Sequence, residues 1–433
     1  MDQGIRASEL IEAEARGLLS RLDMIRPFVL NETMVTAAMP PYGTLLAVER
    51  FLYESREALR GQVRDYLTWL RGPGRGAGGG EQQRRFVVVR MAFNNVLTQF
   101  DLFAETITQR SEHRTGVWLS GLDVLASDAL RVRVPGVGET PVICYLARGA
   151  GAAIRRTRTR LPGGRSNPVA IIRIPRERMI GSGIASSLVH EVGHQGAAHL
   201  NLVESLRADI MAAARANPAG GWDVWYRWIS EIVADCWSVG TLGITSTVGL
   251  LAVVSLPKFF VFRPSGNDPH PMPYLRVLIS TRIGDALYPH PQWAAMRDTW
   301  KQLYPIGQLP PARREVIERH EATVEPFVRL LLGHRSAALQ GRRLGEIWPT
   351  AGRAPGQLLT HYRSWNGDLG VMARQRPALV FAAVGQAKAA GLITPEREAG
   401  LLRDLLSAWA VRSSLDPARR PTSSSEAPVR RVS

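Results

Sequence analysis

The pentapeptide His190-Glu191-Val192-Gly193-His194 constrains this chain more than any other stretch. On a helix, two histidines four residues apart project from one face about one turn from each other, which suits two ligands of a single tetrahedral zinc. A third ligand must then come from elsewhere, so the fold has to bring a second element against that face. Glu191 sits beside the histidines, free to act as a base. A chain of this length shows the pattern by chance about one time in a hundred, so the remaining parts have to be found. Without them, the pentapeptide is a helix with two surface histidines.

Downstream, Glu231 and Asp235 share a helical face in the segment Trp228 to Asp235. Glu231 can complete a His2Glu set, and Asp235, one turn on, can accept the second N–H of a ligating histidine and fix its tautomer. The competing reading is an exposed helical pair. Against it, the two carboxylates stand among Trp225, Trp228, Ile229, Ile232, Val233, Ala234 and Trp237. Buried carboxylates demand partners, and a metal and histidine would serve. A third element, Asp268-Pro269-His270-Pro271, continues to Arg276.

The combination of HExxH, ExxAD and HPxxxxR resembles the gluzincin metallopeptidases of the HtpX and CAAX prenyl protease type, across residues 169 to 280. The resemblance implies that His190, His194 and Glu231 bind one Zn2+ and that Glu191 is the general base and acid. It also places His270 and Arg276 near a cleft, where one of them would hold the oxyanion or the substrate carboxyl terminus. The other reading keeps His270 as the anchor of a proline-rich turn and pairs Arg276 with Asp235 or another carboxylate. A metzincin register is excluded, because Ala197 and Leu200 stand where Gly and His would be needed. His199 is one place out of register and reads as a helix-end histidine.

The expected fold is α+β and predominantly helical: a zincin-like core with a small antiparallel sheet and an active-site helix, flanked by helical regions. Residues 1–70 read as helical, 71–85 as a Gly-rich linker or loop, 86–290 as the peptidase domain, 291–412 as a second helical region and 413–433 as a disordered tail. Texture turns to β from Pro141. Runs 142–148 and 152–160 precede the turn Leu161-Pro162-Gly163-Gly164, and 169–174 follow as a strand. The resemblance puts an edge strand there, so Val169, Ala170, Ile171, Ile172 and Arg173 are expected to pair with a substrate backbone. The metal-binding helix is expected to start at Ser182 as N-cap.

Net charge is +16, and all but three of the 54 basic residues are arginine. No zinc-finger spacing or aromatic-basic repeat accompanies that charge, so nucleic acid is not an expected partner. Alternation over Arg156, Arg158 and Arg160 would set guanidiniums on one strand face of an arginine-rich hairpin, where acidic partners can bind. Charged protection of a sheet edge is the plainer reading. Cys236 to Pro257 lacks charge and approaches bilayer-spanning length, but its glycines and hydroxyl residues favour a buried core helix over a membrane span. Two distant cysteines and an N-terminus without an apolar signal core make the cytoplasm the expected compartment. The expected activity is zinc-dependent hydrolysis of peptide bonds in protein or peptide substrates, by an endopeptidase using a zinc-activated water and a glutamate base. A non-catalytic, zinc-stabilised scaffold is the alternative.

Overall fold

The computed structural model describes residues 7–148, 151–176, 181–218, 221–264, 266 and 268–415. The chain forms two compact units, Met1–Val117 with Arg155–Val169 and Ser413–Ser433, and Trp118–Ile154 with Ala170–Arg412.

In the first unit, α1 (Ala7–Met24), α2 (Tyr42–Arg71) and α3 (Gly79–Thr108) pack on one another. Apolar side chains at helical spacing, among them Leu18, Leu22, Val48, Leu52, Leu59, Val63, Phe93 and Phe103, form the shared core. Ion pairs set α1 and α2 antiparallel: Arg71 reaches Glu12 at 2.9 Å and Arg60 reaches Asp23 at 2.7 Å.

Residues 71–85 are not a flexible linker. They form a tight helical corner, with a 3-10 turn at Pro73–Gly76 and α3 already under way at Gly79. Gly74 lies flat on the Trp69 ring, where an added Cβ would stand 2.8 Å from it. The buried Gln82 amide donates to Gly74 O at 2.9 Å, and the Arg85 guanidinium stacks over Trp69 at 4.1 Å. The glycines here permit close packing, a role their composition does not distinguish from looseness.

Residues 155–169 pack within this same unit. Arg158 adopts φ +61° and residues 157–158 turn, so the arginines do not alternate along a strand. The Asn167 side chain donates to the Arg155 and Arg156 carbonyls at 3.2 and 3.1 Å, and Arg165 pairs with Glu54 of α2. Arg178, a further arginine of the same arginine-rich stretch of sequence, lies outside the described residues.

The second unit begins its β structure with β1 (Val142–Ala147), β2 (Ala153–Arg155) and β3 (Ala170–Pro175), ordered β1-β3-β2. β1 and β3 are parallel, from Val142 opposite Ala170 to Ala147 opposite Pro175, so the sheet is mixed rather than antiparallel. Both are almost wholly buried, and continuous apolar runs such as VICYL and AII suit a strand covered on both faces. β3 is therefore the central strand. Its backbone faces β1 and β2, so the edge position expected of residues 169–174 is not theirs: β1 and the short β2 are the edges.

Helices complete the unit. α4 (His113–Ala129) precedes the sheet; α5 (Gly183–His199), α6 (Leu202–Ala216), α7 (Asp223–Leu242) and α8 (Ile244–Val254) follow it, then α9 (Lys258–Val261), α10 (Pro273–Leu287), α11 (Gln292–Leu303) and α12 (Pro311–Gly333). α13 (Pro355–Trp365), α14 (Leu369–Ala373), α15 (Pro377–Ala389) and α16 (Pro395–Leu415) close it. α5 is central, packing on α7, α8, α6 and β3. The uncharged stretch from Cys236 is two helices, broken at Gly243 with φ +59° and ψ −135°. No helix among the described residues is long and apolar enough to cross a membrane. α16 continues through Leu415, so residues 413–415 are helical, and the rest of the expected disordered tail lies outside the described residues.

Candidate metal centre

Helix α5 has a short, non-polar start and two internal glycines, Gly193 and Gly196, and these decide how it meets α7. A Cβ on Gly193 would stand 2.8 Å from Ala234 Cα and from Trp237 Cβ, and one on Gly196 would fall within the Trp237 indole. With hydrogen in place of Cβ, the two helix backbones approach closely. The Trp237 ring is held by donation from Nε1 to Ala129 O at 2.9 Å. On the opposite contact, Gly249 of α8 lies over Ser186, whose hydroxyl donates to Ser246 O at 2.9 Å.

That approach brings together His190 and His194 from α5 and Glu231 from α7, with their potential ligand atoms within 4.8 Å of one another. The two imidazoles stand edge to face, centroids 4.9 Å apart. Glu231 Oε2 is 3.2 Å from His190 Nε2, and Oε1 is 3.5 Å from His194 Nε2. Ligands of a tetrahedral zinc are separated by about 3.3 Å when each bond is about 2.05 Å, so these spacings fit one ion.

Glu231 Oε2 supplies a second test. It is buried and lies 3.2 Å from His190 Nε2 and from His270 Nε2, yet receives no hydrogen bond of adequate geometry. A buried carboxylate oxygen with no hydrogen bond needs a partner, and a cation held between it and the histidine nitrogens would supply one. The residues present therefore fit a zinc ion.

Asp235 stands behind His190. Its Oδ1 is 2.8 Å from His190 Nδ1, while Arg276 of α10 forks onto it, Nε to Oδ2 at 2.7 Å and Nη2 to Oδ1 at 2.9 Å. With a zinc ion bound, Nδ1–H donation to Asp235 would leave the Nε2 lone pair of His190 for the metal. Of the two readings of Arg276, the structure places the guanidinium on Asp235, where it orients the carboxylate. His270 is the one that reaches the cluster. Asp268 holds it through Nδ1 at 2.6 Å and the backbone N–H at 3.0 Å, and its side chain is 47% exposed.

Charge follows geometry. Burial works against the charge of Glu231, but the close histidines His190, His194 and His270 hold its carboxyl far below the usual carboxylate range. Burial likewise opposes ionisation of Asp235, and Arg276 and His190 outweigh it. For His190, burial favours the neutral ring, but Asp235 and Glu231 prevail and push its pKa up to about 9. Glu191 is buried, and burial raises its pKa against the pull of His190 and His194. A carboxyl so poised gives and takes a proton nearer neutrality than a solvated one.

The expected substrate strand is set differently. Val169, Ala170, Ile171 and Ile172 are buried and Arg173 is half-buried, within or beside the central strand. Residues that the motifs did not single out are Gly193, Gly196 and Trp237, which set the helix approach, and Asp268, which orients His270. Two glycines three apart inside a helix were the available signal. No protein-family model, curated protein or solved structure matches this chain.

Proposed function

We propose that this chain is a zinc-dependent metallopeptidase of the gluzincin kind, acting as an endopeptidase on protein or peptide substrates. The observation that carries the reading is the Glu231 carboxylate set between His190 and His194 with an orphaned oxygen. A zinc ion held by His190, His194 and Glu231 would supply Lewis acidity to a water molecule and to the scissile carbonyl. Glu191 takes the proton of the attacking water and passes it to the leaving amine. Asp235, fixed by Arg276, keeps the His190 tautomer. His270, steadied by Asp268, is the exposed donor that meets the developing oxyanion.

Replacement of Glu191 by Gln tests this. Zinc content should be unchanged and hydrolysis of a peptide library should fall by several orders of magnitude. Full activity in Glu191→Gln would overturn the assignment.

A non-catalytic, zinc-stabilised scaffold is the second reading: His270 Nε2 lies 3.2 Å from Glu231 Oε2 but outside the mutually close group of three, and would have to move toward the two histidines to become a fourth ligand. A site closed by four protein groups has no position for water. In that case His270→Ala would weaken zinc binding strongly. In the peptidase it would leave zinc in place and lower turnover.

A further inference from the structure

The second unit carries an apolar projection outside the metal centre. Between α8 and α10, every residue from Ser255 to Phe260 is exposed. Phe259 is 68% exposed, Phe260 46%, Leu256 42% and Leu303, at the end of α11, 60%. The two phenyl rings meet edge to face at 5.3 Å. The mount beneath them is firm: Val261 and Phe262 are buried, the Phe262 ring packs on Tyr274 at 5.3 Å, and the Tyr304 hydroxyl donates to Leu256 O at 2.9 Å.

Cations surround this tip. Lys258 and Arg263 are exposed on either side of the phenylalanines, Lys258 Nζ donating to the neutral Gln308 Oε1 at 2.6 Å, and Arg227 donates to Gly266 O at 2.7 Å. Asp268, the carboxylate beside Arg263 at 3.8 Å, is itself bonded to His270 Nδ1 at 2.6 Å and to its backbone N–H at 3.0 Å. The chain as a whole carries +16.

We propose that the Phe259–Phe260 tip docks this protein on an anionic phospholipid surface, with the rings entering the interfacial layer and Lys258, Arg263 and Arg227 facing the headgroups. Exposed aromatic side chains gain by leaving water, and flanking cations are drawn to a negative leaflet. The shape favours lipid over a protein partner. Four apolar side chains on a projection cover far less than the roughly 800 Å² per partner that a stable protein interface needs. Nothing in this argument depends on the peptidase reading.

Sedimentation of the full chain with vesicles tests it, comparing phosphatidylcholine alone with phosphatidylcholine containing phosphatidylglycerol. The wild type should partition onto the anionic vesicles, less so at high salt, and not onto the neutral ones. Phe259→Ser with Phe260→Ser should weaken that partitioning roughly tenfold or more, because two buried phenyl rings are lost. Lys258→Glu with Arg263→Glu should weaken it independently, which covers the case of one variant misfolding. Absence of binding to anionic vesicles, equal binding to neutral ones, or an unaffected serine pair with retained low-salt binding would overturn the proposal. The last result would assign binding to arginines elsewhere on the surface.

Discussion

Asp235 Oδ1 lies 2.8 Å from His190 Nδ1, and Arg276 occupies the rest of the same carboxylate. His190, Asp235 and Arg276 thus form one buried chain of contacts behind the metal ligands. Asp235→Asn keeps the shape but removes the charge that orients both neighbours, and should weaken zinc affinity about 10- to 100-fold. Asp235→Ala should do more, because it leaves a buried guanidinium without its partner, at a cost of about 3–5 kcal/mol. Competition with a chromogenic chelator measures the first effect and denaturant unfolding the second. An Asp235→Ala protein as stable as wild type would contradict this account.

The same contact gives the zinc-free protein a definite pH dependence. His190 is raised from its ordinary 6.5 to about 9, so it binds its proton more tightly folded than unfolded. Its contribution is full below pH 6.5 and is lost as pH rises through 9. At 1.36 kcal/mol per unit, that is about 3 kcal/mol. Asp235 acts in the opposite sense: its carboxyl is lowered from 3.8, so its contribution is present above that value and is lost on acidification. Urea midpoints of chelator-treated protein across pH 5 to 10 should therefore fall on the alkaline side, and His190→Ala should flatten that decline.

Gly193 should tolerate no side chain. An added Cβ would stand 2.8 Å from the Ala234 Cα and from the Trp237 Cβ, and neither is the free end of a flexible chain. Gly193→Ala must push α5 and α7 apart, at about 1–3 kcal/mol. Because that separation also draws Glu231 from the histidines, zinc affinity should drop with stability. Calorimetry with and without zinc would show a smaller metal-induced rise in Tm than in the wild type.

Local signals explain what was legible in the sequence. The i,i+4 spacing placed His190 with His194, and Glu231 with Asp235, and residues 291–412 read as helical, where α11 to α16 lie. The meeting of α5 with α7 was legible only through the chemistry, since a metal ligand set demands a third member. What was not legible depends on distant partners. Parallel pairing of β1 with β3 needs knowledge of where the chain returns after residues 155–169. Gly74 reads as a loop residue until Trp69 is known to lie against it, and the arginines of 155–165 read as a charged strand until Glu54 and Asn167 are seen to engage that segment.

The start of α5 is the clearest case of such a distant partner, and it carries the last prediction. Ser182 occupies the N-cap position but its hydroxyl makes no capping bond; instead its backbone N–H donates to Glu398 Oε1 at 3.2 Å. Glu398 comes from α16, is 1% exposed and accepts from Lys388 Nζ at 2.7 Å through its other oxygen. A carboxylate at this end of a helix also meets the positive pole of the backbone dipoles. Glu398→Ala removes the cap and strands Lys388, and should cost about 2–4 kcal/mol. Glu398→Gln keeps hydrogen-bonding capacity and should cost less. Gly181→Ala should be destabilising too, since φ is +72° there and the new Cβ would stand 2.9 Å from Glu398 Oε2. If Glu398 holds the frame that presents His190 and His194, hydrogen exchange at the first turns of α5 should quicken in Glu398→Ala while that of α1 to α3 stays unchanged. Uniform quickening across the chain would show that Glu398 acts only on global stability.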